Sequence, residues 1–246
     1  RLIYNSSKRI VVFTESFKTN LISRGVLADK LHVVINGANL TLFEDPVYDD
    51  ELAKSLELDN KFVVGYMGTH GLSHDLLNAI YAANLVKDED IYFLFVGEGA
   101  EKAAMVTLSK QLNATNIRFV GRQVREDIPK YWALCDVGLV HLKNDPVFET
   151  VIPSKIFETM ASGRPIMYCG PDSDGARLIK IHDCGLLSNS DDPKALASQI
   201  RVLKREPDLC IRLATNGKDA SPKFSREVQS DATLAVLQLA SNESKV

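Results

Sequence analysis

Seven short apolar runs recur along the chain, and most are separated by stretches with helical spacing. The runs are Arg9–Thr14, Leu31–Asn36, Phe62–Met67, Ile91–Val96, Ile117–Val120, Val137–His141 and Pro165–Cys169, with a weaker eighth near Gly185–Leu187. They are rich in Val, Ile and Phe and nearly continuously apolar, the pattern of strands buried on both faces. Between them, apolar residues return at helical intervals: Leu76, Leu77, Ile80 and Ala83; Ala103, Val106, Leu108 and Leu112; Ile128, Tyr131, Trp132 and Leu134; Ile156, Phe157, Met160 and Ala161. Strands that alternate with helices are joined by crossovers. The expected fold is therefore α/β, a doubly wound and mostly parallel sheet with helices on both faces.

Punctuation residues support this reading. Gly163 stops the helix that ends near Ser162, and Pro165 opens the next strand. Asp192-Pro193 supplies an N-cap and a first-turn proline for a helix over 194–204, followed by a short helix over 206–217 and a long one over Ser225–Leu239. The stretch from Asn36-Gly37-Ala38-Asn39 to about Leu58 interrupts the rhythm with Asp45-Pro46 and the acidic Asp49, Asp50 and Glu51, and reads as a linker. The first residue is Arg1, and Arg1–Asn5 carries no signal-peptide pattern and leads straight into a strand-like run, so the chain is expected to begin in the middle of a fold.

A formal net charge of −3 leaves no basic excess to neutralise a phosphate backbone, which argues against nucleic-acid binding. No apolar run approaches the roughly 18 residues of a membrane span. Cys135, Cys169, Cys184 and Cys210 share no C-x-x-C spacing, and three lie in or beside apolar runs. They read as reduced core residues, in keeping with a cytoplasmic compartment.

In open α/β sheets ligands bind beyond the carboxyl ends of the strands. The most informative such segment is Val151-Ile152-Pro153-Ser154-Lys155-Ile156-Phe157-Glu158. Ile152 and Pro153 lead into a helix whose first turn holds Ser154 and Lys155, with Glu158 one turn on. A helix start offers unpaired N–H groups and a positive dipole end, and Lys155 adds a full charge, so a diphosphate fits there. Glu158 could accept hydrogen bonds from two vicinal hydroxyls. The same spacing also describes an ordinary Lys155–Glu158 pair on a solvated helix start. In Gly65-Tyr66-Met67-Gly68-Thr69-His70-Gly71-Leu72-Ser73-His74, glycines flank a strand-to-helix turn, Ser73 is a candidate cap, and Gly68, Thr69, His70 and His74 border a crevice or form a plain turn. The two histidines lack carboxylates or thiols in a zinc pattern. Gly97-Glu98-Gly99 lacks the third glycine of a dinucleotide fingerprint. Arg122 and Gln123 follow a strand, where Arg122 could stack on a base or pair a phosphate. Glu149, in a polar loop, is a candidate acceptor for a sugar hydroxyl.

Four stretches together resemble the donor half of the large retaining glycosyltransferase family that includes glycogen and sucrose synthases. They are Val64–Gly71, Phe95–Lys102, Ile117–Gly121 and Val151–Pro165, and their order and spacing match over about residues 9–240. The nearest branch is the bacterial one that builds O-antigen and capsule, the WbuB-like fucosamine and N-acetylamino-sugar transferases. The resemblance implies a GT-B fold, two Rossmann-like domains facing a cleft. Residues 1–44 would be a remnant of the acceptor domain with its linker, 45–222 the nucleotide-sugar domain, and 223–246 a helix returning to the first domain. It further implies that Glu158 binds the ribose, that Ile152–Lys155 holds the diphosphate, that Gly68 with Thr69, His70 and Gly97 borders the phosphates, and that Gly121–Gln123 borders the base. Lys155 and Glu149 would act at the reacting end, with no metal and no other cofactor.

The chain departs from the family pattern in two places. The usual Glu-x7-Glu would put a glutamate at Thr150, and Glu149 stands one residue away; the usual Arg and Lys of the first loop are absent. The implied reaction is transfer of a hexosyl or N-acetylhexosaminyl group, with retention, from a nucleotide sugar such as a UDP-sugar to a polysaccharide or lipid-linked acceptor. The implied setting is the cytoplasm, with peripheral association at the inner membrane face. With acceptor binding in the missing half, the chain alone is expected to bind nucleotide weakly and to transfer poorly or not at all. A UDP-N-acetylglucosamine 2-epimerase-like enzyme and a non-catalytic nucleotide-binding scaffold are the alternatives.

Overall fold

Both faces of every central strand are covered, which is why the strands read as continuous apolar runs. A computed structural model describes residues 2–43 and 47–242. In chain order the elements are α1 (Leu2–Ser6), β1 (Ile10–Val12), α2 (Glu15–Ser23), β2 (Leu31–Val33), α3 (Asp50–Ser55), β3 (Phe62–Met67), α4 (Leu76–Leu85), β4 (Ile91–Val96), α5 (Lys102–Gln111), β5 (Ile117–Val120), α6 (Ile128–Ala133), β6 (Val137–His141), α7 (Ser154–Ala161), β7 (Ile166–Cys169), α8 (Asp174–Ile181), β8 (Gly185–Ser188), α9 (Pro193–Arg205), α10 (Pro207–Ala220) and α11 (Arg226–Asn242). Strands β3 to β8 form one parallel sheet in the order β5-β4-β3-β6-β7-β8. Strands β1 and β2 pair in parallel as a separate small sheet.

Alternate residues serve opposite faces. Val64, Tyr66, Phe93 and Phe95 pack with Ile80 of α4 and Leu196 and Ile200 of α9. Val63, Met67, Leu94 and Val96 pack with Trp132 of α6 on the other face. The strand order turns back between β3 and β6, since β4 and β5 extend one way and β7 and β8 the other. This switch point leaves a crevice at the carboxyl ends of the strands.

The interval read as a linker is partly ordered by packing. Leu40–Phe43 forms a 3-10 turn, and Asp49 caps α3 by accepting from the Leu52 N–H at 2.9 Å. Phe43, Ala53 and Leu58 are buried beside Trp132. The Asp45-Pro46 turn and the expected boundary at 44/45 lie outside the described residues. Ser73 does not cap α4: Asp75, in a left-handed conformation, precedes the helix, and the Leu76 N–H donates to the Glu101 carboxylate at 3.4 Å. The expected stop at Gly163 (φ +64°) and the Asp192 cap on Ala195 N–H (2.9 Å) both form. Cys135, Cys169 and Cys184 are buried free thiols, and Cys210 is half-buried. Among the described residues no helix is long and apolar enough to cross a membrane.

Candidate functional site

Helix α7 seats its apolar face, Ile156, Phe157 and Met160, in the core beneath β6 and β7. Pro153, extended and buried, precedes it, and no side chain caps its first turn. The opposite face of α7 looks across the crevice at the loop after β3. There Lys155 lays its side chain against Gly68: a Cβ on Gly68 would lie 2.8 Å from Lys155 Cε. Lys155 Nζ stands over the Tyr66 ring, 4.9 Å from its centroid, a cation–π contact. Burial lowers the Lys155 pKa to about 8, with Glu158 pulling it back upward. Burial likewise raises the Glu158 carboxyl above the usual range, against the pull of Lys155, Arg125 and Arg226. The two side chains are half-buried and form no ion pair with each other, so the plain surface-pair alternative is not what forms.

Glu158 opens onto a recess of 740 Å³ lined by Met67, Gly68, Arg122, Gln123, Arg125 and Ile128. An adjoining recess of 380 Å³ brings in Thr69, Gly97 and Glu98. Of the expected residues, Gly68, Thr69, Gly97, Arg122, Gln123 and Glu158 thus share one continuous hollow at the ends of β3, β4 and β5, with Lys155 at its edge on Gly68. Lys102 braces its floor by donating to the Gly97 carbonyl at 3.0 Å.

Other expected residues stand elsewhere. Ser154 lines a neighbouring groove with Phe13, Asn36, Arg226 and Gln229, because the start of α7 lies between two hollows. Ile152 and Pro153 turn their side chains into the protein, Ile152 against the core around α7 and Pro153 against Gly175, and away from the hollow. His70 is fully buried; its ring packs 5.8 Å from Tyr66 and 6.2 Å from Phe95, and neither ring nitrogen has a partner. Its side chain therefore shapes the loop from beneath. Glu149 is exposed on its loop and lines neither recess, while its carbonyl accepts from Asp174 N–H at 3.0 Å. Sequence reasoning missed Tyr66, Arg125 and Ile128. Tyr66 reads as one more strand residue, and only the packing shows it beneath an ammonium.

Fold and hollow together define a parallel α/β domain of the GT-B kind with a crevice at its switch point. Residues 59–206, more than half of the chain, match the family described as Glycosyl transferases group 1. The chain is 30% identical over 158 residues to WcaI of Escherichia coli (strain K12), named as a colanic acid biosynthesis glycosyl transferase, covering 63% of this chain and 38% of that one. It is 28% identical over 202 residues to WbjE of Pseudomonas aeruginosa, named as a glycosyltransferase, covering 80% of this chain and 50% of that one. The chain thus spans half or less of the length of these curated relatives. In fold it is similar to Anabaena HepE, solved with UDP and glucose (TM-score 0.80, 20% identity, all of this chain and 65% of that one). It is also similar to a sucrose-phosphate synthase from Thermosynechococcus elongatus (TM-score 0.78, 21% identity, 99% and 59%). The chain belongs to the glycosyl transferases group 1 family.

Proposed function

We propose that this chain is the donor-binding half of a retaining glycosyltransferase, holding a UDP-sugar and passing its hexosyl or N-acetylhexosaminyl group to a polysaccharide or lipid-linked acceptor. One observation carries the reading: a half-buried ammonium at an uncapped helix start, beside a carboxylate that opens onto a 740 Å³ recess. Lys155 has lost water and forms no ion pair with Glu158, whose attraction only partly offsets burial, so the fold holds its charge at a cost. A diphosphate supplies the missing partner, and each charge-assisted hydrogen bond is worth roughly 1.5–3 kcal/mol. Glu158 is placed to accept from the two ribose hydroxyls, with Arg122 and Gln123 beside the base. In the transition state the same cation and helix start stabilise the departing diphosphate. The UDP bound by HepE and the colanic acid biosynthesis named for WcaI support the donor and acceptor classes.

Calorimetric titration with UDP, GDP and ADP tests this. UDP is expected to bind most tightly, and Lys155→Met to weaken it about 10- to 100-fold. The same substitution is expected to stabilise the empty protein at pH 7 by about 1–3 kcal/mol, because the folded pKa of Lys155 lies below its unfolded value. By linkage, wild-type stability gains from this group only as pH rises from about 8 toward 10.5. Equal or absent binding of the three nucleotides would overturn the assignment.

A further inference from the structure

His74 and His141 stand 67 positions apart, in the loop after β3 and at the end of β6, on either side of the switch point. His74 Nδ1 lies 3.2 Å from the His141 carbonyl oxygen, and His141 Nδ1 lies 2.7 Å from the His74 carbonyl oxygen. A carbonyl only accepts, so both Nδ1 atoms carry hydrogen and each neutral ring keeps its lone pair on Nε2. A third bond, Lys143 N–H to the Ser73 carbonyl at 2.9 Å, stitches the same two loops.

The two Nε2 atoms differ in surroundings. That of His141 is sealed without a partner in a fully buried residue; His74 is only half-buried, and its Nε2 is not among the sealed atoms. The His74 ring meets Tyr66 edge-on at 5.9 Å, the same ring that carries the Lys155 ammonium on its face. Lys155 and His74 therefore both lie against the Tyr66 ring. The His74 ring is held in place by the His141 backbone carbonyl.

We propose that His74 is the second cationic ligand of the diphosphate: its Nε2 takes one proton from solvent as the nucleotide enters and donates that hydrogen to a phosphate oxygen. This rests on the donor-binding reading above. The charged or titratable groups facing His74 are Lys155 from α7, Tyr66 from β3, His141 from β6 and His70 from its own loop, with no carboxylate among them. Burial and then Lys155 hold the His74 pKa down to about 4. No carboxylate acts on His74, so an arriving phosphate brings it a negative charge it lacks, and binding raises its pKa.

Titration of UDP in two buffers of different ionisation enthalpy counts the protons taken up, and the titration of the ligand itself cancels between variants. His74→Asn keeps an amide where Nδ1 stands, and so keeps the donor to His141, but has no base at Nε2. Between pH 5.5 and 6.5 the wild type is expected to take up close to one proton more than His74→Asn, binding UDP about tenfold more tightly at pH 6.5 and about a hundredfold at pH 5.5. That advantage is expected to shrink toward unity by pH 8.5, while the thermal stabilities of the empty proteins stay close at neutral pH. His74→Gln, with an amide near Nε2, is expected to bind with an intermediate affinity and without the extra proton. Equal proton uptake by wild type and His74→Asn, with UDP still bound, would overturn the role of His74 and leave the donor site standing. Failure of the wild type to bind any of UDP, GDP and ADP would overturn both.

Discussion

Gly68 and Gly97 are turn glycines in the sequence, where close approach of a ligand accounts for them; their neighbours in space supply another reason. Gly68 sits at φ +132° and Gly97 at φ +145°. A Cβ on Gly97 would stand 1.9 Å from the Gly68 carbonyl oxygen, and one on Gly68 would press the Lys155 stem. The first clash is with backbone that cannot yield; the second is with a side chain that can swing away. Gly97→Ala is therefore expected to cost more than about 3 kcal/mol of stability. Gly68→Ala is expected to cost only about 1–2 kcal/mol but to lose most UDP affinity, because it displaces Lys155. Urea unfolding with nucleotide titration separates the two; equal losses of stability would contradict the geometry. Sequence exposes the glycines and Lys155, but the contact between them spans 87 positions and has no local signature.

At the level of elements, legibility followed burial. Strands covered on both faces, β3, β4 and β6, are recognisable from composition alone, and α7 is plain because its apolar stripe and following glycine agree. Helix α8 is not, because its buried side is made of Gly175, Ala176, Leu178 and Ile179, half of it too small to signal a period. Yet α8 helps place the loop that leads into α7. Asp174 N–H donates to the Glu149 carbonyl and Gly175 N–H to the Val151 carbonyl. The Asp174 carboxylate accepts from Ser16 N–H at 3.1 Å and Ser16 Oγ at 2.8 Å. Burial would raise its pKa, but Arg177, Ser16 and Thr14 together hold it below the usual carboxylate range. Thr14, buried, caps α2 through Phe17 N–H and donates to the Thr150 carbonyl at 2.9 Å. Thr14→Val keeps the shape and removes both bonds. It is expected to cost about 1–2 kcal/mol, with Thr14→Ser within about 0.5 kcal/mol of wild type. A Thr14→Val chain as stable as wild type would show that the hydroxyl holds neither the helix nor the loop.

Across the whole molecule, the crevice gathers bases that the fold keeps neutral. His70, His74 and His141 all have pKa values lowered to about 4, in each case chiefly by burial. In the unfolded chain these groups titrate near 6.5. The unfolded state therefore binds more protons between pH 6.5 and 4, and folding stability falls as pH drops through that window. Each histidine contributes on the order of 1–3 kcal/mol to the loss, and the contributions overlap because the three rings are neighbours. His70 isolates the effect best. Both of its nitrogens are buried without partners and its ring already packs as an aromatic between Tyr66 and Phe95. His70→Phe removes two unsatisfied polar atoms and one titration while keeping the ring. It is expected to raise stability at pH 7 by about 1 kcal/mol and to widen that gain by about 1–3 kcal/mol at pH 4.5. Unfolding curves collected from pH 7 down to 4.5 read this directly. A gain that does not grow on acidification would mean that His70 takes up its proton in the fold as readily as in the unfolded chain. An imidazolium would then form beside Lys155 as the pH falls below about 6.5.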